Sequence, residues 1–153
     1  MKSTASQAAA AIREDLKKQF PEIKFRVTSQ SYSGGSSIRV EYEDGPRKEI
    51  VEGTLRKYEY GAFNSMIDLY EYSNVKEDVP QVKFLMVERQ MSESTRKKLT
   101  EKITGTYEGC QGLNYGDYAP KLGTYVCTLV RREFDRMEMY FLDFERELCG
   151  WTV

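Results

Sequence analysis

A pair of glycines lies between two stretches of the chain in which apolar and polar side chains alternate, and this pattern constrains the fold more than any other feature. The apolar positions of both stretches are spaced two apart, and they are Ile23, Phe25, Val27, Ile38, Val40 and Tyr42. A period of two is typical of a half-buried strand. Gly34 and Gly35 suit the tight turn that joins two antiparallel strands. The sequence therefore predicts a β-hairpin over residues 23–43.

Helical periodicity flanks the predicted hairpin on both sides. Apolar residues at three- and four-residue spacing predict a helix over about residues 6–19, which Pro21 ends because proline breaks the helical hydrogen bonding. Pro46 suits the first turn of a second helix, which continues to about residue 59 and which Gly61 terminates. The first part of the chain is thus predicted to run helix, strand, strand, helix.

The second half of the chain is predicted to add one strand and two helices. Residues 82–87 are apolar at nearly every position, as in a strand covered on both faces, and Ser92 caps a helix to about residue 103. A seam at alternating spacings of four and three predicts a last helix, and its members are Val130, Phe134, Met137, Phe141, Phe144 and Leu148. Residues 124–130 also suit a strand, and residues 63–72 fit either a helical turn or an extended segment.

These elements together predict a single α+β domain over residues 1–153. Residues 1–74 are its αββα part, and residues 75–153 supply a strand, a helix, a loop rich in glycine and tyrosine, and the carboxyl-terminal helix. We expect a small antiparallel sheet with the helices mainly on one face. A hydrophobic fraction of 40% in 153 residues is enough to form such a core.

The absence of histidine excludes several chemistries. It removes the imidazole base, the Ser-His and Cys-His nucleophile pairs and the histidine ligand to a metal ion. The three cysteines show no CxxC pair, which fits neither a disulfide framework nor a zinc site and suggests a reducing compartment. No stretch is long and apolar enough for a signal peptide or a membrane span. We therefore expect a cytoplasmic protein without cofactor, metal or membrane contact.

A net charge of −1 argues against a general DNA-coating protein, so any contact with nucleic acid must be local. The candidate surface joins a basic face of the third predicted helix to tyrosines that can stack on unpaired bases. Its residues are Arg96, Lys97, Lys98, Lys102, Tyr107, Tyr115 and Tyr118. The alternative is a solvated helix face, with tyrosines that pack on the core and hold the loop over residues 105–123. The sequence favours this alternative.

Acidic residues leave open one route to catalysis. Glu41 and Glu43 lie at the end of the second strand, and Asp68 and Glu71 follow the second helix. A metal-dependent hydrolase or nuclease would need at least three of these carboxylates to converge on one magnesium, calcium or manganese ion. Acidic residues on a surface are usually solvated, so the sequence favours a protein that is not an enzyme.

An ordered set of short motifs between residues 9 and 74 resembles a known family, and the strand and capped helix that follow also suit it. The motifs are Ile12-Arg13-Glu14-Asp15-Leu16-Lys17, Phe20-Pro21, Phe25-Arg26-Val27, Ser31-Tyr32-Ser33-Gly34-Gly35-Ser36-Ser37-Ile38, Asp44-Gly45-Pro46, Tyr60-Gly61-Ala62-Phe63, Asp68-Leu69-Tyr70-Glu71-Tyr72-Ser73-Asn74 and Phe84-Leu85-Met86-Val87 with Arg89 and Ser92. Together they resemble the large polyvalent protein-associated domain, type 29. That domain occurs in long polyvalent proteins of phages and conjugative elements and in small stand-alone bacterial proteins.

The resemblance implies a mobile-element or prophage origin, and it carries no catalytic activity over to this chain. Its characteristic positions, whose roles it does not specify, are Gly34, Gly35, Asp68, Tyr70, Tyr72 and Asn74. We therefore predict a non-enzymatic accessory or interaction module whose partner is a protein or a nucleic acid. The loop over residues 105–123 lies outside the motifs, and we expect it to carry the function that distinguishes this chain from its relatives.

Overall fold

The computed structural model describes residues 4–137, which form two compact units. Unit 1 contains residues 4–43 and 48–89, and unit 2 contains residues 44–47 and 90–137. Helices and small sheets occur together, which confirms the predicted α+β class. The single domain stays a prediction.

Unit 1 begins with a helix and a β-hairpin, as the sequence predicts. Helix α1 spans Thr4–Gln19, strand β1 spans Arg26–Tyr32 and strand β2 spans Gly35–Glu43, with β1 and β2 antiparallel. Only Ser33 and Gly34 lie between the strands, so Gly34 is in the turn as predicted and Gly35 is the first residue of β2. The strands extend this far because Gly35, with φ at 149°, adopts a conformation that a side chain disfavours.

The elements that follow in unit 1 contain a second, smaller hairpin. They are α2 (Lys48–Leu55), a 3-10 turn (Arg56–Tyr58), β3 (Ala62–Asn64), β4 (Leu69–Glu71) and β5 (Phe84–Gln90). The main sheet has the strand order β1-β2-β5, and β3 and β4 form a separate antiparallel pair. The segment 63–72, ambiguous in sequence, is therefore a hairpin. The predicted αββα order and the further strand are confirmed.

The core of unit 1 joins α1 and α2 to one face of the main sheet. Ile38 and Val40 of β2 are fully buried, whereas Arg39 between them is exposed, as the alternating pattern predicts. Ile12 and Leu16 of α1 pack into the same core. Burying an aliphatic side chain of this size contributes about 1.5–3 kcal/mol, so these residues account for much of the stability of the unit.

An ion pair and a hydrogen bond connect α1 to the 3-10 turn. The Asp15 carboxylate accepts a hydrogen bond from the Tyr58 hydroxyl, and the Lys57 Nζ lies 2.6 Å from the same carboxylate oxygen. The hydrogen bonds from Lys57 and Tyr58 lower the pKa of Asp15 below its ordinary value. Burial, with the hydrogen bond to Asp15 as a second cause, raises the pKa of Tyr58.

We expect Asp15→Asn to lower the free energy of unfolding by about 1–2 kcal/mol at neutral pH, because it removes the charge from two charge-assisted hydrogen bonds. The folded-state pKa of Asp15 is depressed, so its contribution is present above the unfolded-state pKa of about 4 and is lost as the pH falls through the folded-state value. Urea unfolding at neutral and acidic pH measures this difference. The exposed Glu14→Gln is the matched control, with an expected change below about 0.5 kcal/mol. If Asp15→Asn lowered the free energy of unfolding as much at acidic pH as at neutral pH, the prediction would be contradicted.

Unit 2 contains two helices joined by the glycine-rich loop. Helix α3 spans Glu93–Thr106, strands β6 (Tyr118–Ala119) and β7 (Thr124–Tyr125) pair antiparallel, and helix α4 spans Val126–Arg136. The ambiguity over residues 124–130 is thereby resolved, because a two-residue strand precedes the helix. The predicted seam members Phe141, Phe144 and Leu148 lie outside the described residues.

Asp44 and Ser92 together define the start of α3. The Ser92 Oγ accepts a hydrogen bond from the Thr95 N–H at 3.2 Å, which confirms the predicted cap. The Ser92 hydroxyl and N–H in turn donate to the two carboxylate oxygens of Asp44, at 2.7 and 3.1 Å. The Asp44-Gly45-Pro46 motif therefore has a structural role in unit 2.

The core of unit 2 is formed by α3, α4 and the loop between them. Its buried members are Leu99, Ile103, Cys110, Ala119, Val126, Val130 and Phe134. Leu99 and Ile103 point inward from α3, as their spacing predicts. Within residues 4–137, no helix is both long enough and apolar enough to cross a membrane.

Candidate interaction surface

Gly34 and Gly35 lie where the β1–β2 turn meets Lys83. A Cβ added at Gly35 would be 3.0 Å from the Lys83 Cδ, and the Lys83 Nζ donates a hydrogen bond to the Gly34 carbonyl at 3.5 Å. The close approach and the unusual φ both favour the absence of a side chain at Gly35. Of these two family-like positions, Gly35 is therefore the one at which the backbone requires glycine.

Tyr70 and Tyr72 belong to a cluster of aromatic rings that holds β4 against the start of β5. Tyr70 meets Phe84 edge-to-face, with 5.5 Å between ring centroids, and meets Tyr72 at 4.8 Å. Tyr72 also contacts Tyr60 at 6.2 Å. The Tyr70 hydroxyl donates to the carbonyl of Lys83, and burial raises the pKa of Tyr70. Pairs of this geometry contribute about 0.5–1.5 kcal/mol each beyond the area they bury.

Asn74 anchors the chain that leaves the β3–β4 hairpin. Its Nδ2 donates to the carbonyls of Arg56 and Glu59, at 2.9 and 3.0 Å, and its N–H donates to the carbonyl of Tyr60 at 2.8 Å. These bonds attach the segment to the end of the 3-10 turn, so Asn74 has a structural role as well.

Gln81 is a buried polar residue that the sequence did not single out. It is 1% exposed, and its Nε2 donates to the carbonyls of Lys57 and Asn74, both at 2.8 Å. Its Oε1 accepts from the Lys76 N–H at 2.8 Å. No sequence signal indicates these contacts, because their backbone partners lie at separate points along the chain.

The turn of the β3–β4 hairpin has a defined conformation. Asp68 adopts a left-handed φ of 51°, which aspartate tolerates better than most residues. The Asn64 side chain accepts from the Met66 N–H at 3.1 Å and donates to the Glu71 carboxylate at 2.9 Å. At the base, a Cβ on Gly61 would lie 1.7 Å from the Glu71 carbonyl oxygen, so only glycine fits.

The hairpin and the chain just beyond it expose a group of apolar side chains. Six of the thirteen large apolar side chains exposed within residues 4–137 fall in the segment 63–75, and Met66 at the turn is 93% exposed. We call this group the hairpin patch, and its members are Phe63, Met66, Ile67, Leu69, Tyr72 and Val75. Phe63 pairs with Tyr70 and Leu69 pairs with Asn64, so Phe63 and Leu69 lie on opposite faces of the hairpin and exposed apolar side chains occupy both faces. Extended exposed apolar surface marks interaction sites, whereas single exposed residues are ordinary. The sequence did not reveal the patch, because it leaves the conformation of residues 63–72 open.

Three of the four basic candidate residues of α3 are spread around the helix axis. Arg96, Lys97 and Lys98 are consecutive, so each is rotated by about 100° from the next around the helix axis. The Lys102 Nζ lies 2.8 Å from the Glu133 carboxylate and connects α3 to α4. Helix geometry therefore separates residues that appear as one basic run in the sequence.

The tyrosines of the loop differ from one another in their surroundings. Tyr115 is half-buried, and the Arg96 guanidinium lies 5.2 Å from its ring centroid. Tyr107 and Tyr118 are 39% and 49% exposed, and Tyr118 meets Tyr125 edge-to-face at 5.1 Å. The packing that the sequence favours is therefore found for Tyr115 and is wrong for the other two predicted tyrosines.

Buried side chains other than Tyr107 and Tyr118 anchor the loop. Cys110 and Ala119 are fully buried, and Leu113 packs against the same core. Gly109 has a φ of 93°, and a Cβ there would lie 2.8 Å from the Lys121 Cβ, so a glycine lets the chain pass closely. These anchors leave Tyr107 and Tyr118 exposed.

The four carboxylates of the hydrolase hypothesis do not form a shared site. The Glu41 carboxylate lies 3.9 Å from the Arg26 Nε, Glu71 accepts from Asn64, Asp68 is in the hairpin turn and Glu43 is exposed. Within the part of the chain that the structure describes, no three acidic or cysteine side chains group as a metal site would require. Within the described residues, the metal-dependent hydrolase or nuclease hypothesis therefore lacks the converging carboxylates that it requires.

These observations define a small α+β protein with an exposed apolar hairpin. The chain belongs to the family described as large polyvalent protein associated domain 29, whose family model matches residues 3–131. It is therefore a member of a group of domains associated with the polyvalent proteins of phages and mobile elements. The match includes residues 105–123, so the loop, which the motifs do not reach, lies within the family model. No curated protein and no solved structure matches the chain significantly.

Proposed function

We propose that this chain is a non-enzymatic interaction module and that the hairpin patch is its surface for a protein partner. The observation that carries the proposal is the exposure of six large apolar side chains within residues 63–75. Burying such side chains releases water from apolar surface, and a few central ones supply most of the affinity of a typical interface.

The rigidity of the hairpin supports the same proposal. Tyr70 and Asn74 hold its carboxyl-terminal side, while Asn64 closes the turn. A surface that is ordered before binding loses less conformational entropy when a partner docks. The family-like positions on this segment therefore hold the patch in place, which favours a docking element over an irregular loop.

We expect Met66→Ser combined with Ile67→Ser to reduce recovery of the protein partner at least about tenfold. A factor of ten corresponds to roughly 1.4 kcal/mol, and the loss of two apolar side chains that become buried on binding costs more than this. The thermal midpoint should stay unchanged because Met66 and Ile67 are exposed at 93% and 58%. Affinity capture from a host lysate, quantified by mass spectrometry for wild type and variant, measures the difference.

Ile50→Ser combined with Leu122→Ser is the matched control, because these apolar side chains are exposed elsewhere at 44% and 40%. The control should recover the same proteins as wild type. Proteins recovered equally by all three forms would show that the hairpin patch is not the binding surface.

Nucleic acid is the second candidate partner, and the exposed rings of Tyr118 and Tyr125 favour it because exposed aromatic side chains stack on bases. Arg96, Lys97 and Lys98 would contribute contacts to phosphate. The capture experiment separates the two candidates. Treatment with nuclease would abolish the recovery of a nucleic-acid partner. Without nuclease, the Met66→Ser and Ile67→Ser variant would recover that partner as well as wild type does.

A further inference from the structure

We infer that the hairpin patch binds a protein segment that combines apolar side chains with lysine or arginine. The inference rests on the proposed function and adds the chemistry of the partner. It is drawn from the charges that surround the patch.

The segment of the chain that bears the patch is acidic. Residues 61–79 contain one basic side chain, Lys76, and four acidic ones, which gives a net charge of −3. All five are exposed, and the acidic ones are Asp68, Glu71, Glu77 and Asp78. The segment that bears the patch therefore carries an excess of exposed carboxylates, and one lysine from outside it, Lys83, places its Nζ 5.3 Å from the Tyr70 ring centroid. A partner with cations beside its own apolar residues is complementary to the net charge and to the apolar side chains of the segment.

The hairpin itself carries acidic side chains and no basic ones. Asp68 is in the turn next to Leu69, and Glu71 ends β4. The Glu71 carboxylate accepts a hydrogen bond from the side-chain amide of Asn64 at 2.9 Å. Because that amide is uncharged, the contact does not neutralise the negative charge of Glu71. Cationic side chains of a partner can reach both carboxylates while its apolar side chains cover Leu69 and Met66.

The same charges argue against other occupants of the patch. A second copy docked hairpin to hairpin would bring Asp68 and Glu71 of both chains into one interface, and like charges in an interface are unfavourable. The net negative charge would likewise repel phosphate groups of nucleic acid or of an anionic membrane. A basic and apolar protein segment avoids these repulsions.

Panning the full chain against a phage-displayed library of random peptides tests the inference. We expect enriched peptides to carry lysine or arginine next to apolar residues. A synthetic peptide of the enriched sequence should bind Asp68→Asn combined with Glu71→Gln about fivefold more weakly than wild type, and wild-type affinity should fall with added salt. Glu22→Gln combined with Glu43→Gln removes two exposed charges elsewhere in unit 1 and should leave the affinity unchanged.

The outcomes distinguish the inference from the proposed function. Enriched peptides that need Met66 and Ile67 but contain no basic residues, or that bind the Asp68→Asn and Glu71→Gln variant as well as wild type, would overturn the inference alone. A failure to enrich any peptide that depends on Met66 and Ile67 would overturn the proposed function and the inference with it. A dimer of the purified chain that Met66→Ser and Ile67→Ser dissociate would assign the patch to a second copy and overturn the inference.

Discussion

Gly61→Ala is expected to lower the free energy of unfolding by about 3 kcal/mol, because the new methyl group has no room. A Cβ at this position would lie 1.7 Å from the carbonyl oxygen of Glu71 and 2.9 Å from the N–H nitrogen of Ser73. Both neighbours are backbone atoms, so the chain itself must move. We expect the movement to shift β4 and to disturb the base of the hairpin patch.

Urea unfolding of wild type and variant measures this effect, and Gly53→Ala is the matched control. Gly53 lies in α2 with nothing within 4 Å of an added Cβ. Alanine there should raise stability by about 0.5–1 kcal/mol, since glycine is the poorer helix former. Opposite signs for the two substitutions are the expected result. A loss below about 1 kcal/mol for Gly61→Ala would contradict the tight packing of this site.

Gln81→Leu is expected to lower the free energy of unfolding by about 3–5 kcal/mol, because it removes several buried hydrogen bonds at once. The substitution leaves the carbonyls of Lys57 and Asn74 and the N–H of Lys76 without the side chain that they contact. An unsatisfied buried polar group costs about 1–3 kcal/mol, and these groups lie around a side chain that is 1% exposed.

Thermal and urea unfolding of Gln81→Leu, compared with Gln90→Leu, check this prediction. Gln90 is exposed at the end of β5, so leucine there should change stability by less than about 0.5 kcal/mol. Equal stabilities for the two variants would show that the contacts of Gln81 contribute little to the fold.

Gly61→Ala and Gln81→Leu both concern the attachment of the β3–β4 hairpin to the rest of unit 1. Gly61 permits the close approach at the base of the hairpin, and Gln81 holds the segment that follows it. Tyr70 and Asn74, two of the family-like positions, make further contacts of the same kind. The residues that carry the family resemblance in this region thus hold the hairpin in one orientation, while its apolar side chains remain exposed.

The candidate site could be predicted from the sequence only in part. The ordered motifs singled out Tyr70, Tyr72 and Asn74, which do converge on one region. The sequence also suggested one basic surface from Arg96, Lys97, Lys98 and Lys102 of α3, and helix geometry spreads the three consecutive ones around the axis. The hairpin patch was not predicted, because exposure depends on which other segments cover a residue.

Local sequence patterns determined the α+β class, the β1–β2 hairpin and the inward faces of α1 and α3, the hairpin through its alternation and its pair of glycines. Apolar residues repeat every two positions in a half-buried strand and about every 3.6 positions in an amphipathic helix. The repeat identifies the buried face of an element from the residues of that element alone. The tertiary structure alone decided that Gln81 is buried and that Met66 is exposed. Those outcomes depend on backbone groups and side chains far apart in the chain, and no local pattern of residues encodes which distant groups will meet.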